Sequence, residues 1–258
     1  MKKLLLAVLT GVSALSLAAC GKKSNKLVVG TNAAFPPFEY KDNDGNVTGF
    51  DIELIQAYGK SVNKEVEIKD MEFDAALTSA SKGKIDIAIA GITKNEKREK
   101  TLSFSDGYYN SNQVVICKQG SEFSTLTTET EILTALKGKN IGCQRATTGQ
   151  FYIEGDADWG FDGIEGASAK PYDNGGLAIK DLNDGKIDAV ILDEAPAKNI
   201  VAKSYSSTLT ILSTALTEEE YAIAVKKGNT ELVESLNAFI KTIKENGEYA
   251  KLLEKYFG

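Results

Sequence analysis

The chain has 258 residues, 42% hydrophobic and 26% charged, a globular composition with room for one large domain or two modest ones. Its formal net charge of −6 argues against nucleic acid or an anionic membrane surface as partner, because both select Lys and Arg clusters. Histidine is absent, which removes Ser-His-Asp and Cys-His catalysis and most zinc sites, so neither a metal nor a cofactor is expected.

Residues 1–19 read as an export signal: Lys2 and Lys3 precede an apolar run from Leu4 to Ala19 that is too short to span a bilayer comfortably. The run ends "LSLAAC" and is followed by Gly21, which resembles the bacterial lipoprotein box, where cleavage falls before Cys20 and the thiol carries lipid. A plain secretory signal is the alternative. Lipid such as palmitate on Cys20 would tether the protein to the outer face of the cell membrane without a spanning helix. Residues 20–26, "CGKKSNK", then serve as anchor and polar linker. Loss of Lys2 and Lys3 takes the formal charge from −6 to −8. Export also permits a disulfide between Cys117 and Cys143, against the blander reading of two small buried strand residues.

"KLVVG" is a short apolar strand, and the long loop after it is broken by Pro36, Pro37 and the turn at Asp44-Gly45. Ile52, Leu54, Ile55, Tyr58 and Val62 recur at helical spacing and give an amphipathic helix, and "EVEIKDM" returns as a strand. Next, "FDAALTSASKG" reads as a helix ended by Gly83 in a left-handed cap, with Ile85, Ile87 and Ile89 opening a strand. The same pattern recurs where "GGLAIKDLNDG" ends at Gly185 and "KIDAVILD" runs to Asp193, so the tetrapeptide Gly-Lys-Ile-Asp occurs twice. "ILTALKGKNIG" is another helix-Gly-strand unit, "YAIAVKKG" is a late strand, and helices are expected at 231–245 and 247–256.

Such alternation implies α/β lobes with parallel strands and covering helices, and ligands sit beyond the carboxyl ends of such strands. The doubled unit points to two similar lobes. A chain whose last helices return to the first lobe crosses between lobes twice, and the crossings are expected at Ser111–Cys117 and Ala222–Lys227. Residues 27–113 with 226–258 would then form lobe 1, and 114–225 lobe 2.

Of 30 basic residues only Arg98 and Arg145 are arginines. A guanidinium grips a carboxylate through two parallel hydrogen bonds, which an ammonium cannot do. Arg98 follows Gly91 and Thr93 in "AGITKNEKR", where close backbone approach, a hydroxyl and a helix start together read as a carboxylate cradle. The bland alternative pairs Arg98 with Glu96 or Glu99. Asp193, at the matching end of the second unit, can accept from an ammonium, and the two charges make a clamp for a zwitterion. Phe35 and Phe50 either sandwich the apolar part of a small ligand or are ordinary core aromatics. Thr147 and Thr148 donate to the same carboxylate or cap the helix they precede.

The stretches "LVVGTNAAFPPFEY", "GNVTGFDIEL", "GKIDIAIAGIT", Arg98, "FSDGYY", "LKGKNIG", "ATTGQ", "GKIDAVILDE" and "ENGEYAKLLEKYFG", in this order, resemble the family 3 extracytoplasmic solute-binding proteins of amino-acid ABC importers over the mature length. The resemblance implies a two-lobe Venus-flytrap fold of the periplasmic-binding-protein type II, each lobe a mixed, mainly parallel sheet covered by helices, in a monomer that delivers a polar amino acid to an ABC permease. It also implies residue roles. Arg98, Thr93 and the backbone around Ala90 and Gly91 would take the α-carboxylate, with Thr148 reaching it from the second lobe. Asp193 would take the α-ammonium, Phe35 and Phe50 would flank the side chain, and Asn32 and Gln144 would lie near its tip. Relatives for basic amino acids often carry Asp where this chain has Asn32, which suits a neutral polar side chain such as that of glutamine. "QRATTGQ" is similar to stretches of arginine binders, which keeps a basic ligand open. Two further readings on the same scaffold are a dehydratase of small cyclic acids, resting on carboxylates such as Glu39 or Glu194, and a free-standing amino-acid sensor.

Overall fold

The computed structural model describes residues 25–258, so the signal sequence and Cys20 lie outside the described residues. Two five-stranded sheets carry the architecture. In the first, strands run in the order Glu65–Asp70, Lys26–Thr31, Ile87–Ala88, Ala224–Lys226, Leu102–Phe104. In the second the order is Ser168–Tyr172, Asn140–Gln144, Ala189–Asp193, Gln113–Lys118, Leu209–Ile211. Each sheet has three parallel strands followed by one that runs antiparallel to the third. The expected α/β two-lobe fold, with mixed and mainly parallel sheets, is therefore present.

The doubled tetrapeptide holds the same place in both sheets. Gly83 and Gly185 each take a left-handed φ, +67° and +77°, and end a helix. Asp86 then accepts the backbone N–H of Val28 and Asp188 that of Asn140, each at 2.8 Å, while their own N–H groups return to the carbonyls of the same residues. The repeat thus fastens the third strand of each sheet to the second, at the end opposite the cleft.

Ile52, Leu54, Ile55 and Tyr58 of helix Phe50–Ser61 are buried, as the helical spacing predicts, and the last helices, Thr230–Glu245 and Glu248–Phe257, pack back onto that helix. Among the described residues no helix is long and apolar enough to cross a membrane.

The crossings form a two-stranded ribbon, Tyr109–Ser111 antiparallel to Glu219–Tyr221. This moves both crossings earlier than expected, since Gln113–Lys118 is already a strand of the second sheet. Residues 224–226 pair with Ile87–Ala88 and Leu102–Phe104, so they belong to the first sheet. An apolar strand buried on both faces looks alike in either sheet, and only its hydrogen-bond partners tell them apart.

Cys117 and Cys143 are free and buried. Strand Ala189–Asp193 lies between their strands. Two strand spacings are roughly 9.5 Å, beyond the reach of a disulfide.

Candidate functional site

The two sheets face one another across a cleft at the carboxyl ends of their parallel strands, as the twin lobes predict. Asn32, Phe35, Ala90, Gly91, Thr93 and Arg98 line it from the first lobe, and Gln144, Thr148 and Asp193 from the second. Each lies at or just past a strand end or in the first turn of a helix there.

Arg98 is 7% exposed and sits in the one-turn helix Glu96–Glu99, whose cap Asn95 accepts the Arg98 N–H. Its Nη1 donates to the Thr93 carbonyl at 2.7 Å and its Nη2 to the Ala146 carbonyl of the second lobe at 3.1 Å, rather than pairing with Glu96 or Glu99. Ala146 holds φ +60° to turn that carbonyl toward the cleft, a strained conformation of the kind kept at sites. With five N–H donors in the guanidinium, three remain for a ligand. Burial lowers the Arg98 pKa to about 10, against the opposing pull of Glu219 and Asp193, so the group stays cationic at neutral pH.

Asp193, 5% exposed, ends its strand and accepts the Tyr221 hydroxyl. Burial and then the charge of Glu219 push its carboxyl up to about 7. A cation placed against it would restore ionisation. At the far end of the cleft Gln144 Nε2 donates to Asn32 Oδ1 at 3.0 Å, and Asn32 Nδ2 donates to the Met71 carbonyl, so an amide pair spans the lobes.

Three expectations change. Phe50 is fully buried in the first lobe among Phe38, Tyr108, Tyr109, Tyr249, Tyr256 and Phe257, away from the cleft. The aromatic that joins Phe35 in the cleft is Phe73, which opens helix Phe73–Ser81 and lies 5.3 Å from the Arg98 guanidinium carbon. Gly91 does not offer its N–H to the cleft, because Asp51 Oδ2 accepts it at 3.0 Å. Its importance is steric: φ is +54°, and a Cβ would stand 2.7 Å from Phe35 Cε1. The Thr147 hydroxyl turns back to the Gln144 carbonyl and caps nothing, although Thr147 stands at the cap of helix Thr148–Glu154. Arg145 is at the surface beside Asp173.

Sequence reasoning also missed residues here. Trp159, the single tryptophan, covers Arg98 from the second lobe with its ring centre 4.9 Å from the guanidinium carbon. Glu39, which the sequence offered only as a carboxylate for dehydratase chemistry, lines the cleft with its carboxyl wholly buried; burial, Asp51 and Asp193 push its pKa well up. Asp51, raised to about 6 by burial, also accepts the Tyr108 hydroxyl. Its Oδ1 and both Glu39 oxygens have no conventional donor, and a proton on Glu39 shared with Asp51 would satisfy one oxygen of each carboxyl. Glu219 Oε2 accepts from both Thr93 and Thr148, whose hydroxyl oxygens are 3.3 Å apart.

Two opposite lobes thus bring a buried cation and a buried carboxyl into one small polar cleft, the layout of a clamp for a solute. The model of the bacterial extracellular solute-binding proteins, family 3, matches residues 27–258. The chain belongs to this family. The solute-binding protein is 30% identical to the L-cystine-binding protein TcyJ of Escherichia coli K12 over 98% of this chain and 92% of the relative. Its fold is similar to that of an ancestral arginine-binding protein bound to arginine, with a TM-score of 0.81, 37% identity and coverage of 91% of this chain and 99% of the other. The match to an ancestral arginine-binding protein bound to glutamine has a TM-score of 0.80 and 37% identity, over 91% and 98% of the two chains. Membership gives the solute-binding protein an extracytoplasmic role.

Proposed function

We propose that the cleft binds a polar L-α-amino acid, with the α-carboxylate on Arg98 and the α-ammonium on Asp193, and that the protein presents it to the permease of an ABC importer. The carrying observation is that Arg98 and Asp193 are each more than nine-tenths buried and come from opposite lobes. Buried charges are costly unless paired, and a zwitterion pairs both at once. A ligand touching both lobes also stabilises their approach.

The side-chain end favours an uncharged polar group such as that of glutamine, because Asn32 and Gln144 offer amides and no fixed charge. Glu39 favours a second reading, a basic side chain such as that of arginine. Its buried carboxyl would ionise on meeting a cation, and ancestral arginine-binding proteins of similar fold have been captured with arginine and with glutamine. A thermal-shift screen of the common amino acids, followed by calorimetry with L-glutamine and L-arginine, separates the two. A binding role rather than a dehydratase predicts that the bound amino acid is recovered unchanged after long incubation.

The same reading has the protein act as a monomer, lipid-anchored through Cys20. Radiolabelled palmitate should enter the wild-type protein in bacteria and fail to enter Cys20→Ser. Loss of uptake in a deletion strain would favour delivery to a permease over sensing.

A further inference from the structure

We infer that Glu219 is a clasp between the lobes, and that it draws the hydroxyl protons of Thr93 and Thr148 away from the solute. Oε1 accepts from Gln113 Nε2 at 2.9 Å and Thr217 Oγ1 at 2.7 Å, while Oε2 accepts from Thr93 Oγ1 at 2.5 Å and Thr148 Oγ1 at 2.7 Å. A carboxylate has about four lone-pair sites, and these four bonds fill them.

The donors come from different parts of the molecule. Glu219 stands on the crossing ribbon Glu219–Tyr221. Thr93 belongs to the first lobe, bridged to Tyr221, and Thr148 opens helix Thr148–Glu154 of the second. One oxygen atom serves both threonines, so the arrangement exists only while the lobes are together. Opening them separates Thr93 from Thr148, and a single acceptor then cannot reach both.

A hydroxyl carries one proton. Given to Glu219, it cannot also be given to a ligand carboxylate, and each threonine side chain then offers the cleft only lone pairs. Lone pairs repel a carboxylate and suit an ammonium. The carboxylate grip therefore falls to Arg98, and the threonine hydroxyls act through closure. Such charge-assisted bonds are strong enough for their loss to change affinity about tenfold.

The ligand half of the test rests on the amino-acid reading above; the stability half does not. Thr93→Val, Thr148→Val, Glu219→Ala and the double variants are compared by thermal unfolding without ligand, and by calorimetry with L-glutamine and L-arginine. The clasp predicts that Glu219→Ala weakens whichever of these amino acids the wild type binds about tenfold, by the same factor if both bind. It predicts that each Thr→Val change loses most of its effect in the Glu219→Ala background, in midpoint and in affinity. Glu219→Gln, whose amide oxygen still accepts from both threonines, should recover part of the loss, and it replaces Glu219→Ala in the cycle if the latter does not fold. Equal Thr148→Val effects in both backgrounds would overturn the clasp, as would tighter binding by Glu219→Ala. Failure of the wild type to bind either amino acid would count against the ligand reading, while the thermal cycle would still decide the clasp.

Discussion

Arg98 and Trp159 come from opposite lobes and meet, the guanidinium carbon 4.9 Å from the indole ring centre and 5.3 Å from that of Phe73. Two rings help to shield the cation from water. A desolvated cation–π contact contributes about 2 kcal/mol. The ion pair Lys100–Asp158 beside it, at 3.0 Å, joins two side chains that are both more than half exposed and contributes little. Trp159→Ala should therefore weaken solute binding by roughly tenfold or more, and Asp158→Asn should leave it nearly unchanged. Calorimetry on both variants checks the contrast.

Removing a clamp charge should cost more. Arg98→Ala or Asp193→Ala is expected to lower affinity at least about a hundredfold, in line with roughly 3 kcal/mol for a stranded buried charge. Arg98→Lys should recover little of this, since an ammonium cannot fork onto a carboxylate. Near-native affinity in the alanine variants would sink the zwitterion model.

Burial and the charge of Glu219 push Asp193 up to about 7, whereas an unfolded aspartate titrates near 4. The folded protein thus holds a proton on this group that the unfolded chain has released. Its contribution to stability is fully present below about pH 4 and is lost as pH rises through 7. Asp51, at about 6, and Glu39 shift in the same direction, so the difference between wild type and variant isolates Asp193. Asp193→Asn should raise the unfolding midpoint more at pH 8 than at pH 5. Binding an ammonium reverses the proton balance: at pH 6 the wild type should release close to one proton from Asp193, read from calorimetry in two buffers of different ionisation enthalpy.

Cys117 and Cys143 should remain thiols. Burial raises both pKa values, Cys143 to about 12, and an intervening strand separates them. Reductant should leave the unfolding midpoint unchanged, and a thiol reagent should label the mature globular part only after denaturant is added. Oxidant-dependent stabilisation would contradict the strand order.

Gly91→Ala should destabilise the protein by about 1–3 kcal/mol, because φ +54° and a Cβ 2.7 Å from Phe35 combine backbone strain with a clash. It should also weaken binding, since Phe35 must give way into the cleft. Thermal unfolding and calorimetry on one sample test both effects.

Arg98, Thr93 and Asp193 were legible in the sequence because each follows a strand that the repeated helix-Gly-strand grammar marks. Phe50 and Phe73 were not separable by that grammar, since both open a helix after a loop. What distinguishes them is that Phe73 follows the carboxyl end of the parallel strand Glu65–Asp70, whereas the helix begun by Phe50 lies against the C-terminal helices. The strand-end rule that found Gly91 and Asp193 would also have found Phe73. Trp159 and Glu219 offered no such signal; one lies in a loop turn, the other in an acidic run at a crossing.

The sequence by itself determined the two α/β lobes, the glycine-ended helices and the places of Arg98 and Asp193 near strand ends, because these follow from local periodicity, backbone conformation and residue chemistry. Only the tertiary structure decided which sheet receives residues 224–226, that Trp159 covers Arg98, that Asp51 takes the Gly91 N–H, and that Glu219 holds a threonine from each lobe. Those are contacts between residues far apart in the chain, set by strand pairing and by the meeting of two lobes. No local pattern encodes them.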